Sequence, residues 1–256
     1  MNRRTFLSSS ALAAAPAYLK GAGRPNQYIE LRFYDLHNGT ANQAGRLREF
    51  FENEHLPMTK RLGLGPVGYF QVYLGPDMPK LAVISALDSP ADIEKRRAAQ
   101  RADKEWMQAV QEVAAANPVY DRVESWLLRT FDKMPRLEVP ELVEGKAPRF
   151  FDMRIYESEN CHKAALKVEM FNSGEIELFR ETGLNPLFFG EAMFASKMPQ
   201  LTYMVYYDDW EAREAAWAKF VAHPEWKKMR SDPRWAGTVS NITNTHFNPL
   251  PFSPIR

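Results

Sequence analysis

With 256 residues, 45% of them hydrophobic and 25% charged, the chain is long enough for two domains of about 100 to 130 residues, each burying an ordinary core. Its 33 Lys and Arg against 32 Asp and Glu leave a net charge of +1, and no basic stretch could track a phosphate backbone, so nucleic acid is not expected as a partner. Cys161 is the single cysteine, which excludes an intramolecular disulfide, and the composition of the body excludes disorder.

In chain order, the first feature is Arg3-Arg4 ahead of Phe6-Leu7 and the mild apolar run SSSALAAAPAYL. This looks like a twin-arginine export signal over residues 1–23, with small residues at Ala15-Pro16-Ala17 for cleavage, and it predicts a periplasmic or otherwise exported protein. The apolar run is shorter than the ~18 residues a membrane span needs, so no span is expected.

Residues 24–130 read as one domain. Ile29, Leu31 and Phe33 alternate with Tyr28, Glu30, Arg32 and Tyr34, the period-2 pattern of a strand. Leu47, Phe50 and Phe51 then step at helical spacing, and Pro57 predicts an end or kink near Glu54-His55. Gly63, Gly65 and Gly68 follow a helix and enter a strand, the reverse of a dinucleotide-binding context, and read as a turn. VGYFQVY (67–73) and LAVISAL (81–87) form a hairpin. Ser89, Pro90 and Asp92 start a second helix that runs past Trp106 to Asn117-Pro118, and RVESWLLRTF (122–131) is the fourth strand.

Residues 131–148 read as a linker, and 149–247 as a second domain that repeats the first. MPKLAVISAL at 78–87 returns as MPQLTYMVYY at 198–207, Glu105-Trp106 as Glu225-Trp226, and Gly63-Leu64 with Pro66 as Gly183-Leu184 with Pro186, each 120 residues on. YIELRFY at 28–34 returns as FFDMRIY at 150–156. The recurring Trp106 and Trp226 are read as packing anchors, Cys161 as a small packing residue, and His223-Pro224 as a cap or turn. A proline-rich tail, 248–256, should lie extended over the body.

The order strand, helix, strand, strand, helix, strand is the ferredoxin-like arrangement. The expected fold class is therefore α+β: two tandem ferredoxin-like units packed sheet to sheet as an intramolecular dimeric α/β-barrel. The tandem ELRFY/DMRIY strands, the Gly-x-x-Pro before the second strand and the helical Glu-Trp pair resemble the NIPSNAP family of dimeric α/β-barrel proteins over residues 28–247. That resemblance implies the barrel and leaves the activity open, because related barrels include cofactor-free monooxygenases, haem enzymes and binding proteins.

With Ile29, Leu31 and Phe33 assigned to the helices, the opposite face would bring Glu30, Arg32 and Tyr34, and by repeat Asp152, Arg154 and Tyr156, into the barrel. Glu30 is expected to pair with Arg32 and Asp152 with Arg154, either as self-satisfied pairs or as holders of an anion. His246, aligned with Trp126 at the same displacement of 120, is expected to face the lumen too. These seven are the ligand-binding candidates; no catalytic residue is assigned. The five histidines show no metal-ligand spacing and no metal is expected. No cofactor is expected either, with haem left open. The favoured function is binding of a small molecule in the barrel, anionic if the arginines hold it. The alternatives are a monooxygenase-like or isomerase-like enzyme, with Tyr34, Tyr156 or His246 moving a proton, and a partner-binding scaffold; self-association is left open. Any site should differ between the halves, since Ala82, Ile84 and Ala86 become Thr202, Met204 and Tyr206.

Overall fold

In a computed structural model, which describes residues 25–142 and 148–256, the alternating stretch at the start of each repeat forms a central strand: β1 (Tyr28–Asp35) and β5 (Phe150–Glu157). The expected export signal lies outside the described residues. Each is followed by a helical passage, a hairpin, a helical pair and a closing strand. The first unit runs α1 (Gln43–Phe50), α2 (Leu56–Arg61), β2 (Val67–Leu74), β3 (Lys80–Leu87), α3 (Asp92–Ala102), α4 (Lys104–Ala115) and β4 (Arg122–Thr130). The second runs α5 (Cys161–Met170), α6 (Ile176–Thr182), β6 (Asn185–Phe194), β7 (Gln200–Tyr207), α7 (Trp210–Ala222), α8 (Pro224–Arg230) and β8 (Asn241–Pro249).

Local chemistry explains the boundaries. Pro57 does not end the first helix; α1 passes into α2 through a π turn at Phe51–His55, and Pro57 sits in the first turn of α2, where its missing N–H costs little. A second π turn, Phe171–Glu175, occupies the same place 120 residues on. Gly63 and Gly183 adopt φ of 63° and 91° just past α2 and α6, the left-handed stop that glycine allows without Cβ strain. The single helix expected after β3 is two, because the Asp103 carboxylate accepts from the Trp106 N–H and caps a fresh start at α4. His223 caps α8 through Nδ1, as expected of His223-Pro224.

The eight strands close into an antiparallel barrel in the order β1-β3-β2-β8-β5-β7-β6-β4. Each unit contributes a four-stranded sheet with its central strand paired on both sides, and two hydrogen-bonded seams, β2 with β8 and β4 with β6, join the units. At the second seam a Cβ on Gly190 would lie 2.8 Å from Cβ of Leu128, so glycine is what lets the two edges approach.

Three buried clusters follow from this closure. The lumen is filled from all eight strands, including Ile29, Leu31, Phe33, Phe70, Ile84, Trp126, Phe151, Met204 and Phe247, with Phe70 of one unit meeting Phe151 of the other at 5.0 Å between ring centroids. The other two clusters lie outside the barrel, between each sheet and its helices: Tyr34, Leu47, Phe51 and Tyr69 in the first unit, and Phe150, Tyr156, Phe171, Phe179 and Tyr203 in the second. This reverses the expected faces. Ile29, Leu31 and Phe33 point into the lumen, and Glu30, Arg32 and Tyr34 point at the helices.

One end of the barrel is plugged. Leu137 of the linker and Ile255 of the tail join the lumen core, the linker held by Glu138 N–H to the Leu187 carbonyl and the tail by Tyr69 N–H to Ser253 Oγ. Within the segment read as a linker, Phe131, Met134 and Leu137 therefore pack as core, and the tail reaches past the outside of the body into the lumen with Ile255.

Candidate functional site

The seven candidate residues lie in three outward-facing groups, each beneath the helices of its own unit. In the first, Arg32 donates to Glu30 Oε1 at 2.9 and 2.7 Å, the expected pair, and Arg96 of α3 donates to Glu30 Oε2 at 3.1 Å and Ser85 Oγ at 2.7 Å. Burial opposes the charge of Arg32, but Glu30 and Tyr34 outweigh it and raise its pKa; burial lowers that of Arg96. His55, the last residue of the π turn, is 9% exposed and sits 2.6 Å through Nδ1 from the Tyr69 hydroxyl. Burial, then Arg32 and Arg96, push His55 down to about 3, so it is neutral at pH 7. These groups enclose a chamber of about 10 Å³, the space of one water. Tyr34 stands beside it as packing, edge-on to Phe51 and Tyr120.

The second group corrects the expected Asp152–Arg154 pair. Asp152 instead accepts from Arg213 of α7 at 2.6 Å and is hydrogen-bonded to Nδ1 of His246, all beneath the ring of Trp210. His246 pairs in register with Asp152, whereas Glu30 pairs with Leu127. The equivalence between the closing strands thus runs at 119, and His246 aligns with outward Leu127 and not with lumen-facing Trp126.

In the third, Arg154 has no carboxylate partner among the described residues; its guanidinium lies 4.4 Å over the ring of Trp217. Tyr156 hydrogen-bonds the Tyr203 hydroxyl at 2.9 Å, and burial raises both. Nearby, the second π turn brings Glu175 2.7 Å from Lys167 Nζ in a pair that is almost wholly buried. Arg32 and Arg154 therefore belong to different outer layers and share no site. Cys161, expected to pack, is exposed at the start of α5.

The lumen itself opens at the end away from the plug, in a pocket of about 280 Å³. Its floor is Phe33, Val72, Trp126, Met153, Ile155 and Phe247, so both arginine-bearing strands line it, with their apolar residues. Asp77, Lys80 and Glu124 of the first unit face Lys197, Thr243 and Thr245 of the second around the rim. Lys80 is engaged by Asp35 at 3.0 Å, while Lys197 donates to Thr243 Oγ1 at 2.8 Å. Lys80 and Lys197 sit just beyond and just before Met78-Pro79 and Met198-Pro199, the hairpin turns of the repeated phrase. These rim residues carry no motif of their own in the sequence, although the repeat marks both turns. Among the described residues no cluster of three His, Cys, Asp or Glu could hold a metal ion, and no helix is long and apolar enough to cross a membrane.

A tandem repeat closed into one eight-stranded barrel, helices outside and one end open, defines a fused dimeric α/β-barrel protein. The chain belongs to the NIPSNAP family, whose profile matches it twice, at residues 29–132 and 151–254. Among solved structures it is similar to a provisionally assigned monooxygenase of Fusobacterium nucleatum, at 7% identity over 88% of this chain and 93% of that one, with a TM-score of 0.57. A provisionally assigned monooxygenase of Lactobacillus acidophilus matches at 8% identity over 88% and 94%, with a TM-score of 0.56. A NIPSNAP-like domain protein of Burkholderia xenovorans matches at 21% identity over 41% of this chain and 89% of that one, with a TM-score of 0.37. The curated proteins include no match. At such identities the solved structures share the fold alone.

Proposed function

We propose that the protein binds a small, largely apolar molecule with one hydrogen-bonding edge in the open mouth of the barrel. The observation that carries this reading is the pocket of about 280 Å³, an apolar floor under a polar rim, near the lower end of the ~300 to 1,000 Å³ of ordinary ligand sites. The rim carries two lysines and two carboxylates, so its charges offset and a neutral polar edge fits better than the anion expected from the arginines. Large apolar side chains left exposed at this end, Tyr73, Leu74, Met78, Phe194 and Met198, give an incoming apolar molecule a favourable path.

The test is calorimetric titration of the folded protein with 1-naphthol, a neutral aromatic with one hydroxyl. Saturable binding that Thr243→Trp abolishes by filling the rim, with the circular dichroism spectrum unchanged, supports the reading. Equal binding by wild type and variant, or none by wild type, removes it.

A further inference from the structure

The chamber beneath the first π turn is hollow and polar, and its counterpart in the second unit is filled. The strand registers make the comparison position by position: Glu30 pairs with Ser85 and Arg32 with Val83, as Asp152 pairs with Val205 and Arg154 with Tyr203. Continuing at the same displacement, Thr59 becomes Phe179, Arg96 becomes Ala216 and Gln100 becomes Phe220. Phe179, Tyr203 and Phe220 are at most 2% exposed, so the second unit closes this space with aromatic rings. The fold therefore does not require a polar void at this place; the first unit keeps one.

Charge in that void is unbalanced. Two guanidinium groups, Arg32 and Arg96, share the one carboxylate of Glu30, while His55 is neutral. Arg96 Nη2 donates to the Ala86 carbonyl at 3.4 Å, and its Nε is buried without a partner among the described residues. A buried cation lacking its full set of acceptors is costly unless an anion completes it. Arg96 and Leu64 also line a surface groove of about 360 Å³, where Leu62, Ala86, Leu87 and Ala99 are joined by Asp88, Asp92 and Lys95; Asp88 is paired with Arg136 and Asp92 with Lys95, each at 2.8 Å. The groove thus reaches Arg96, which it shares with the chamber, and offers Leu62, Leu64, Ala86, Leu87 and Ala99 to the apolar body of a small organic molecule.

We infer that this groove and chamber form a second binding site, distinct from the barrel mouth, for a small organic monocarboxylate. The carboxylate is taken by Arg96, with Arg32 behind it, and the apolar body lies along the groove. Bidentate pairing of guanidinium with carboxylate supplies both the charge and the planar geometry that select this class over amides and alcohols.

Benzoate and its uncharged analogue benzamide test the inference, titrated by calorimetry into the folded protein carrying Thr243→Trp, so that the mouth is blocked. Benzoate should bind saturably and benzamide at least about tenfold more weakly, the usual scale for one charge-assisted contact. Ser85→Val, which copies the second unit, and Arg96→Met should each weaken benzoate by a similar factor while leaving 1-naphthol binding in the unblocked protein unchanged. Equal affinity for benzoate and benzamide, wild-type benzoate affinity in a folded Arg96→Met variant, or no saturable benzoate binding at millimolar concentration would each overturn it. Because 1-naphthol reads the mouth and benzoate the groove, either site can fail without the other.

Discussion

Protonation of His55 should destabilise the fold by an amount that its burial sets. In the native protein its pKa is held down to about 3, first by burial and then by Arg32 and Arg96, whereas in the unfolded chain it titrates near the usual 6.5. As pH falls below 6.5 the unfolded chain takes up a proton that the native chain does not, so stability is lost through the window from about 6.5 down to about 3. The slope is about 1.4 kcal/mol per pH unit, and between pH 7 and pH 5 the loss from this one group is about 2 kcal/mol. The assay is urea unfolding of the wild type and of His55→Gln at pH 7, 6 and 5. The other four histidines are common to both proteins and cancel in the comparison, and the lost contact with Tyr69 offsets the variant equally at each pH. The wild type should lose about 2 kcal/mol more than the variant on going from pH 7 to pH 5. Parallel losses, or an imidazole resonance of His55 titrating near pH 6.5 in the folded protein, would show that the ring is solvated and that the chamber is not the enclosed cationic site described above.

Two further outcomes follow from the packing. Lys167→Met leaves the Glu175 carboxylate buried without its partner and should cost about 3 to 5 kcal/mol by urea unfolding, whereas adding Glu175→Leu should recover most of that loss, since replacing both ions removes both desolvation penalties. Ile255→Ala removes a fully buried plug from the closed end of the barrel and should cost about 2 to 5 kcal/mol; a change of less than 0.5 kcal/mol, roughly that of a surface substitution, would mean that the tail does not plug the lumen in solution.

Much of the architecture was legible because duplication writes it twice. The period-2 alternation of Ile29, Leu31 and Phe33, the glycine stops at 63 and 183, and the recurring hairpin turns are local signals that operate before any tertiary contact forms. They were enough to yield the order of strands and helices, the two units and the barrel. The π turn was half visible: Pro57 marked a disturbance in the helix, but the backbone absorbs it by widening one turn in place of stopping. Arg96, Arg213 and Lys167 escaped notice, since each sits on a helix among other charged residues and only packing selects the one that turns inward. A position-by-position comparison of the halves would have flagged Ser85 against Val205 and Arg96 against Ala216.

The sequence by itself determined that β1 and β5 have two unlike faces; only closure of the barrel decided which face is inside. Both faces are buried, so burial cannot choose between them. The lumen is removed from water by eight strands whose backbone groups already bond one another, and its closed end offers few partners for a carboxylate or guanidinium, which suits Ile29, Leu31 and Phe33. The outer face meets helices that supply Arg96, Arg213 and the residues of the π turns as partners, so that Glu30, Arg32 and Asp152 can be buried there with their hydrogen bonds intact. That difference in available partners, which exists only once the sheets and helices are assembled, moved the charged candidates out of the lumen and left the floor of the barrel mouth to apolar residues from both repeats.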